Sequence, residues 1–283
     1  MTEGTQVDRN VSNSRQAGKR ATLIVKRVEF AFRWIPAGSF IMGSSRREQK
    51  EAIANLKKFT GADDGFDIIL GEVQHKVNIT SGFWMLETPI TQEMWKAVMG
   101  VNPSLLKSVF GMAKKCPVER VSWSACQNFV EKLNELGLAP KGFKFSLPTE
   151  AEWEYACRAG TTTPYSFGNA LNGDNANCDG RSPFGTDKSG PCPGRSTKVG
   201  KYPPNAWGLY DMHGNVNEWT LDFYGDYPDG EVTDPLGPED GVGHVARGGC
   251  WGYAAVGCRA AARFMCDPDY PYFQGARLAL RQR

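Results

Sequence analysis

Arg247-Gly248-Gly249-Cys250-Trp251, then Cys258-Arg259-Ala260-Ala261-Ala262-Arg263, then Gly275-Ala276-Arg277 punctuate the C-terminal stretch of the chain. Two kinds of position alternate here. Gly248, Gly249, Trp251, Arg259, Arg263, Gly275 and Arg277 read as framework. Between them sit small, thiol and aromatic residues with no common chemistry. Tyr253, Phe264, Met265, Tyr270, Tyr272 and Phe273 are large and apolar, yet Pro and Gly break their surroundings into loops. Large apolar groups on loops mark binding surfaces more often than core. The framework side chains have the properties of a scaffold: glycines fix turns, a buried Trp251 fills space, and a paired Arg259 and Arg263 offer planar forks that bond several backbone carbonyls at once.

Working back from this stretch, the composition is that of a globular domain. Of 283 residues, 41% are apolar and 23% charged, enough to bury one large core. Net charge is +2, which gives no field to attract nucleic acid or an acidic membrane. No run of apolar residues is long enough to span a bilayer. Met1 to Lys19 is polar, shows no secretory signal and reads as part of a flexible N-terminus over 1–20. Residues 21–283 read as one domain. Eight cysteines include no Cys-x-x-Cys pair, and three histidines form no ligand motif, so the residues call for no metal and no cofactor.

Residues 22–43 read as two strands joined by a Pro36-Ala37-Gly38 turn, and 45–70 as an inserted helix followed by an acidic loop. Gln74 to Ile79 reads as a strand. Three helices are marked more firmly. Thr91 opens one that closes at Gly100, Ser122 opens one striped by Cys126, Phe129, Val130 and Leu133, and Thr149 with Glu152 forms a capping box for the third. Residues 160–245 read as loops. Glu150 and Glu152 are explained by capping and helix-dipole complementarity. The Lys-rich segment 45–58 and Arg195-Ser196-Thr197 read as solvated surface.

Six ordered islands carry a family resemblance. They are Ile35-Pro36-Ala37-Gly38-Ser39-Phe40-Ile41-Met42-Gly43, Phe83-Trp84-Met85-Leu86-Glu87-Thr88-Pro89-Ile90-Thr91 and Pro117-Val118-Glu119-Arg120-Val121-Ser122-Trp123. Leu147-Pro148-Thr149-Glu150-Ala151-Glu152-Trp153-Glu154-Tyr155-Ala156 and Gly208-Leu209-Tyr210-Asp211-Met212-His213-Gly214-Asn215-Val216-Asn217-Glu218-Trp219 follow, then Arg247-Gly248-Gly249 with Gly275-Ala276-Arg277. Over roughly residues 30–280 the chain resembles the formylglycine-generating-enzyme, or sulfatase-modifying-factor, domain. The resemblance implies an α+β, C-type-lectin-like fold: a small twisted antiparallel sheet, few helices and much irregular chain.

The enzymes of that family carry Gly-Gly-Ser-Phe-x-Cys-x-x-x-x-Cys and use its two cysteines with copper. Counted from Gly249, the first position holds Tyr253. The second count falls on Cys258, but Cys258-Arg259 and Arg263 align better with a framework Arg-x-x-x-Arg element after a shorter loop. One thiol does not make a two-thiolate copper site. Asn215 and Glu218 match calcium-site positions of the enzyme branch, and two oxygen donors do not hold a hard cation.

The tail fits another branch of the same fold. It resembles the variable proteins of diversity-generating retroelements, of the Treponema variable protein type, whose endings approximate Arg-Gly-Gly-Ser-Trp, Cys-Arg-x-Ala-x-Arg and Gly-Phe-Arg. Cys250 stands here at the Ser position and Ala276 at the Phe position. The resemblance implies a variable ligand-binding region over 247–277. Its diversified positions are Gly252, Tyr253, Ala254, Val256, Gly257, Ala260, Ala262, Phe264, Cys266, Tyr270, Tyr272 and Phe273, with Met265 as an apolar neighbour. The expectation is a non-catalytic, monomeric protein at the cell surface or outside the cell, binding a protein or other surface ligand. The rival readings are a copper- and oxygen-dependent formylglycine-generating oxidase, and an accessory domain whose aromatics are buried.

Overall fold

A computed structural model describes residues 6–7, 16–61, 66–105 and 112–282. Thirteen strands and five helices are found among them, in the order β1 (Gln6–Val7), β2 (Arg20–Val25), β3 (Val28–Ile35), β4 (Gly38–Met42), α1 (Arg46–Thr60), α2 (Phe66–Leu70), β5 (His75–Ile79) and β6 (Phe83–Leu86). Then come α3 (Gln92–Met99), α4 (Trp123–Glu135), β7 (Phe143–Ser146), α5 (Glu150–Arg158), β8 (Asn217–Phe223), β9 (Val232–Thr233), β10 (His244–Arg247), β11 (Arg263–Cys266), β12 (Gln274–Ala276) and β13 (Ala279–Gln282). No helix of the described residues is long and apolar enough to cross a membrane.

The strands form three sheets rather than one small one. The largest runs β1-β2-β3-β6-β13-β7 and is antiparallel throughout. The second runs β11-β10-β8-β12, and the third β4-β5-β9; each contains one parallel pair, β12 with β8 and β5 with β9. The C-terminal strand β13 is inserted between β6 and β7, so the end of the chain closes the main sheet.

Thr91, Gly100, Ser122 and Thr149 act as read, and Ser45 and Gly61 are further caps. Ser45, Thr91, Ser122 and Thr149 cap α1, α3, α4 and α5, each accepting a first-turn amide through its hydroxyl. Thr149 and Glu152 complete the capping box. Gly61 and Gly100 close α1 and α3 in the left-handed conformation. The apolar stripe of α4 packs on α3, with the rings of Trp95 and Phe129 stacked at 4.9 Å.

Other expectations are corrected. The first hairpin turns at Lys26-Arg27, with positive φ of 46° and 69° at residues that carry no turn signal. Pro36-Ala37 instead joins strands of different sheets. Asn217–Phe223, inside the supposed loop region, is a central strand whose near-continuous burial hides the alternation by which a half-buried strand is recognised. Phe264 and Met265 lie on β11, not on a loop. The inner face of α1 is buried at Glu48, Gln49 and Ala52, and Ser196 is buried, so neither segment is simply solvated. Most of the segment 1–20 and the acidic loop after α1, residues 62–65, lie outside the described residues; within the first, Gln6 and Val7 pair with Ile24 and Leu23.

Phe129 is fully buried between α3 and the main sheet. Phe129→Ala is expected to cost about 3–5 kcal/mol of stability in urea denaturation, from lost transfer energy and the cavity left behind.

Candidate ligand-binding surface

β10 ends at Arg247, and the chain then turns through Gly248 and Gly249 at φ of 91° and 70°. A side chain at Gly249 would place Cβ 2.6 Å from the Gly257 carbonyl oxygen, so glycine is required twice over, by conformation and by space. A short 3-10 turn, Ala255–Cys258, leads to β11, and the loop 267–273 returns to β12.

Four buried arginines fix this path. Arg247 donates through Nη1 to the carbonyls of Ala261 and Ala262 at 2.8 and 2.9 Å, and through Nη2 to Ala260 at 2.8 Å and to Glu154. Arg259 grips Glu72 with both forks at 2.8 and 2.7 Å, reaches Glu48 at 2.9 Å, and donates Nε–H to the Val256 carbonyl at 3.0 Å. Arg263 holds Glu150 through two bonds of 2.8 Å and lies over the rings of Tyr227 and Tyr224, 4.0 and 4.4 Å from their centroids. Arg277 holds Glu218 at 2.9 and 2.8 Å and the carbonyls of Leu86 and Tyr210 at 2.9 and 2.8 Å. Burial by itself lowers the pKa of Arg247, Arg259 and Arg263. The facing carboxylates outweigh it and hold the guanidiniums of Arg247, Arg259 and Arg263 above their ordinary pKa.

The expected pairing is thereby revised. Arg259 and Arg263 do not work as a pair; each has its own carboxylate from α1, the turn after α2, or α5. The fork that bonds several carbonyls belongs to Arg247. Glu150 does more than complement a helix dipole, since its whole carboxylate is committed to Arg263. Trp251 is half-buried rather than buried, with its ring edge-on to Phe273 at 5.2 Å.

The residues expected on the binding surface divide into three groups. Gly252, Met265, Tyr270 and Tyr272 are exposed, the last three at 54%, 79% and 70%. Tyr253, Ala254, Gly257, Phe264, Cys266 and Phe273 are half-buried. Val256, Ala260 and Ala262 are buried, at 5%, 0% and 3%, because their backbone is drawn onto Arg259 and Arg247. The aromatic rings form a connected set: Tyr253 touches Phe264 and Phe273, and Phe273 touches Tyr272 and Trp251. Arg120, which no sequence signal marked, sits 5.6 Å from the Tyr272 ring centroid, carried there by a backbone φ of 60°. Asp179 was also missed; its amide donates to the Tyr253 carbonyl at 2.8 Å.

The two-thiolate copper chemistry of the enzyme branch does not fit these residues. Tyr253, at the first cysteine position, is packed among rings, and its hydroxyl accepts from Asn217 at 3.3 Å. Cys258 is fully buried; a hydrogen bond with Cys178 and burial push its thiol well up. Burial also raises Cys250, to about 12, and Cys266, which argues against a reactive pair. Calcium does not fit Asn215 and Glu218 either. Both Glu218 oxygens are taken by Arg277 and one also by Trp153 Nε1, while Asn215 Oδ1 accepts from Asn177 and Thr197.

One histidine supports the surface from below. His213 is buried, donates Nδ1–H to the Cys258 carbonyl at 2.8 Å, and accepts the Ser166 amide at Nε2 at 3.0 Å. Burial lowers it from 6.5 to about 4. At this group the native state thus binds fewer protons than the unfolded chain between those values, so its contribution to stability is complete above the upper one and declines as pH falls toward the lower. His213→Gln is expected to remove a component on the order of 3 kcal/mol from the pH dependence of thermal stability between those values, read as the difference between variant and parent across an acid titration. Arg259→Ala is expected to cost about 3–5 kcal/mol, because it strands Glu72 in the interior. Tyr272→Ser and Tyr270→Ser are expected to stay within about 0.5 kcal/mol of the parent in the same denaturation assay.

The profile of the sulfatase-modifying factor enzyme 1-like domain matches residues 26–282. The formylglycine-generating enzyme of Bos taurus is 37% identical over 272 residues, covering 83% of this chain and 70% of that protein. The serine/threonine-protein kinase pkn1 of Chlamydia pneumoniae is 36% identical over 159 residues, which are 54% of this chain and 22% of that much longer protein. Among solved structures, Treponema denticola variable protein 1 is similar with a TM-score of 0.74 and 27% identity, over 93% of this chain and 99% of that one. The α+β, C-type-lectin-like fold is therefore the observed one, and the chain belongs to the sulfatase-modifying factor enzyme 1-like domain family.

Proposed function

We propose that this chain is a non-catalytic ligand-binding protein, a single domain over 21–283 that displays a diversified surface within 247–277. One observation carries the reading. The backbone of that region is held by buried side chains at fixed positions, while Gly252, Met265, Tyr270 and Tyr272 face solvent, and the ring of Tyr272 only rests against Phe273 and Arg120. A scaffold of this kind tolerates different chemistry at its outer positions. The structural likeness to Treponema denticola variable protein 1 supports the same reading.

The ligand is a protein or another surface group, met outside the cell or at its surface. Tyr270, Tyr272 and Met265 supply aromatic and flexible apolar area, and Arg120 beside Tyr272 adds charge. An aromatic anchor seated in a partner pocket contributes about 2 kcal/mol or more. Val256, Ala260 and Ala262 act beneath the surface, where their small volumes let the loop close on Arg247 and Arg259.

The rival enzyme reading is favoured by the bovine relative, which is named as a formylglycine-generating enzyme. Cu(I) titration separates the two. The binding-protein reading expects no stoichiometric copper; one equivalent bound, and lost on Cys258→Ser, overturns it. A library randomised at 252, 265, 270 and 272 is expected to remain mostly folded by circular dichroism and to yield binders to an arbitrary protein such as lysozyme. Wholesale unfolding of the library would show that these positions are structural instead.

A further inference from the structure

A cavity of about 480 Å³ lies apart from the outer surface, between β4, β5, the first turn of α5, the end of β8 and the loop 225–238. Its apolar wall includes Met42, Ala151, Phe223, Val232, Pro235 and Leu236. The volume falls within the range of sites for small organic molecules.

The charges around it do not balance. On α5, Glu150 is matched by Arg263, Glu152 by Arg281, and Glu154 by Arg158 and Arg247. On β8, Glu218 is matched by Arg277. Asp222, on β8 and in the cavity wall, is 4% exposed and has no Lys or Arg partner among the described residues. Its Oδ2 accepts the Glu150 amide at 2.7 Å. Gly237 covers it without crowding; a Cβ there would stand 3.0 Å from the Asp222 Cβ and 3.3 Å from Oδ1.

The neighbouring groups supply no compensation. Arg263 also lines the cavity, but Glu150, the Gly225 carbonyl and two tyrosine rings engage it. His75 presents Nδ1 to the Val73 carbonyl, and His244 presents its Nδ1 to the Asp222 carbonyl rather than to the carboxyl. Tyr227 donates to Glu150, and Asp226 at the mouth is itself acidic. Burial first, then the Glu150 charge, push the Asp222 carboxyl up to about 7, with Glu152 adding to the repulsion. At this group the native state therefore retains a proton that the unfolded chain releases, and its contribution to stability falls as pH rises from the ordinary carboxyl value of 3.8 toward about 7, opposite in sign to that of His213.

We propose that this cavity binds a small organic cation, a protonated amine on an apolar body, with its N–H groups donated to Asp222 and its body against Phe223, Val232 and Leu236. The amine supplies the positive charge that the fold omits at this carboxylate. Such a charge-assisted bond to a buried carboxylate also sets the specificity, since a neutral isostere leaves Asp222 uncompensated.

Calorimetric titration of the full chain with 2-phenylethylamine and with 2-phenylethanol tests the site. The amine is expected to bind at about pH 8 and to weaken about tenfold or more at about pH 5, as Asp222 takes up its proton. Asp222→Asn is expected to weaken the amine about tenfold to a hundredfold, to leave the alcohol unchanged, and to raise Tm at the higher pH only. Val232→Trp, which fills the cavity from an edge strand, gives a second check that spares the carboxylate and is expected to exclude both compounds. Equal affinity for amine and alcohol, affinity indifferent to pH or to Asp222→Asn, or no heat with the amine at about 10 mM overturns the proposal.

Discussion

The guanidiniums of Arg247, Arg259, Arg263 and Arg277 are buried, and each meets a carboxylate that arrives from a distant part of the chain. Everything else about the C-terminal region depends on these contacts. An isolated buried charge is intolerable, so each arginine fixes two segments at once: its own backbone and the element that brings the acid. Glu72 follows α2, Glu150 and Glu154 open and line α5, and Glu218 lies on β8. The irregular stretch after β10 is thus tied to the described helices and sheets by directional bonds rather than by packing alone.

This division of labour explains how a region with so little regular structure has a defined shape. Arg247 gathers the carbonyls of residues 260–262, which would otherwise be buried acceptors without donors. Gly248 and Gly249 supply the turn that brings Arg247 beneath them. The side chains that remain outside take no part in the arginine–carboxylate bonds. Tyr270 and Tyr272 stand in solvent, whereas Tyr253, Phe264 and Phe273 lean on one another and form the floor on which the outer residues rest. The same logic leaves Asp222 conspicuous, because it is a buried acid on β8, beside the cavity, with no arginine partner among the described residues.

Much of this was legible in the residues. The capping residues Thr91, Ser122 and Thr149 announce their helices because the signal is local: one hydroxyl and one amide three residues apart. The ordered islands, and the alternation of framework and variable positions after Arg247, pointed to the family and to the region of interest. The strand at 217–223 was not legible, since a strand buried on both faces loses its alternation. Nor was the sorting of the aromatics into exposed and half-buried. Phe264 and Met265 are adjacent on β11 and face opposite ways, which only the pairing with β10 establishes.

The family resemblance of the ordered islands thus sufficed for the fold class, while the starts of α3, α4 and α5 and the turn at Gly248-Gly249 follow from conformational preferences within a few residues. Which acid each arginine would meet, the burial of Val256, Ala260 and Ala262, the approach of Arg120 to Tyr272, and the cavity beside Asp222 were decided by the tertiary structure. These are contacts between segments as far apart as Glu48 and Arg259, and no local preference encodes the partner of a charge across such a distance.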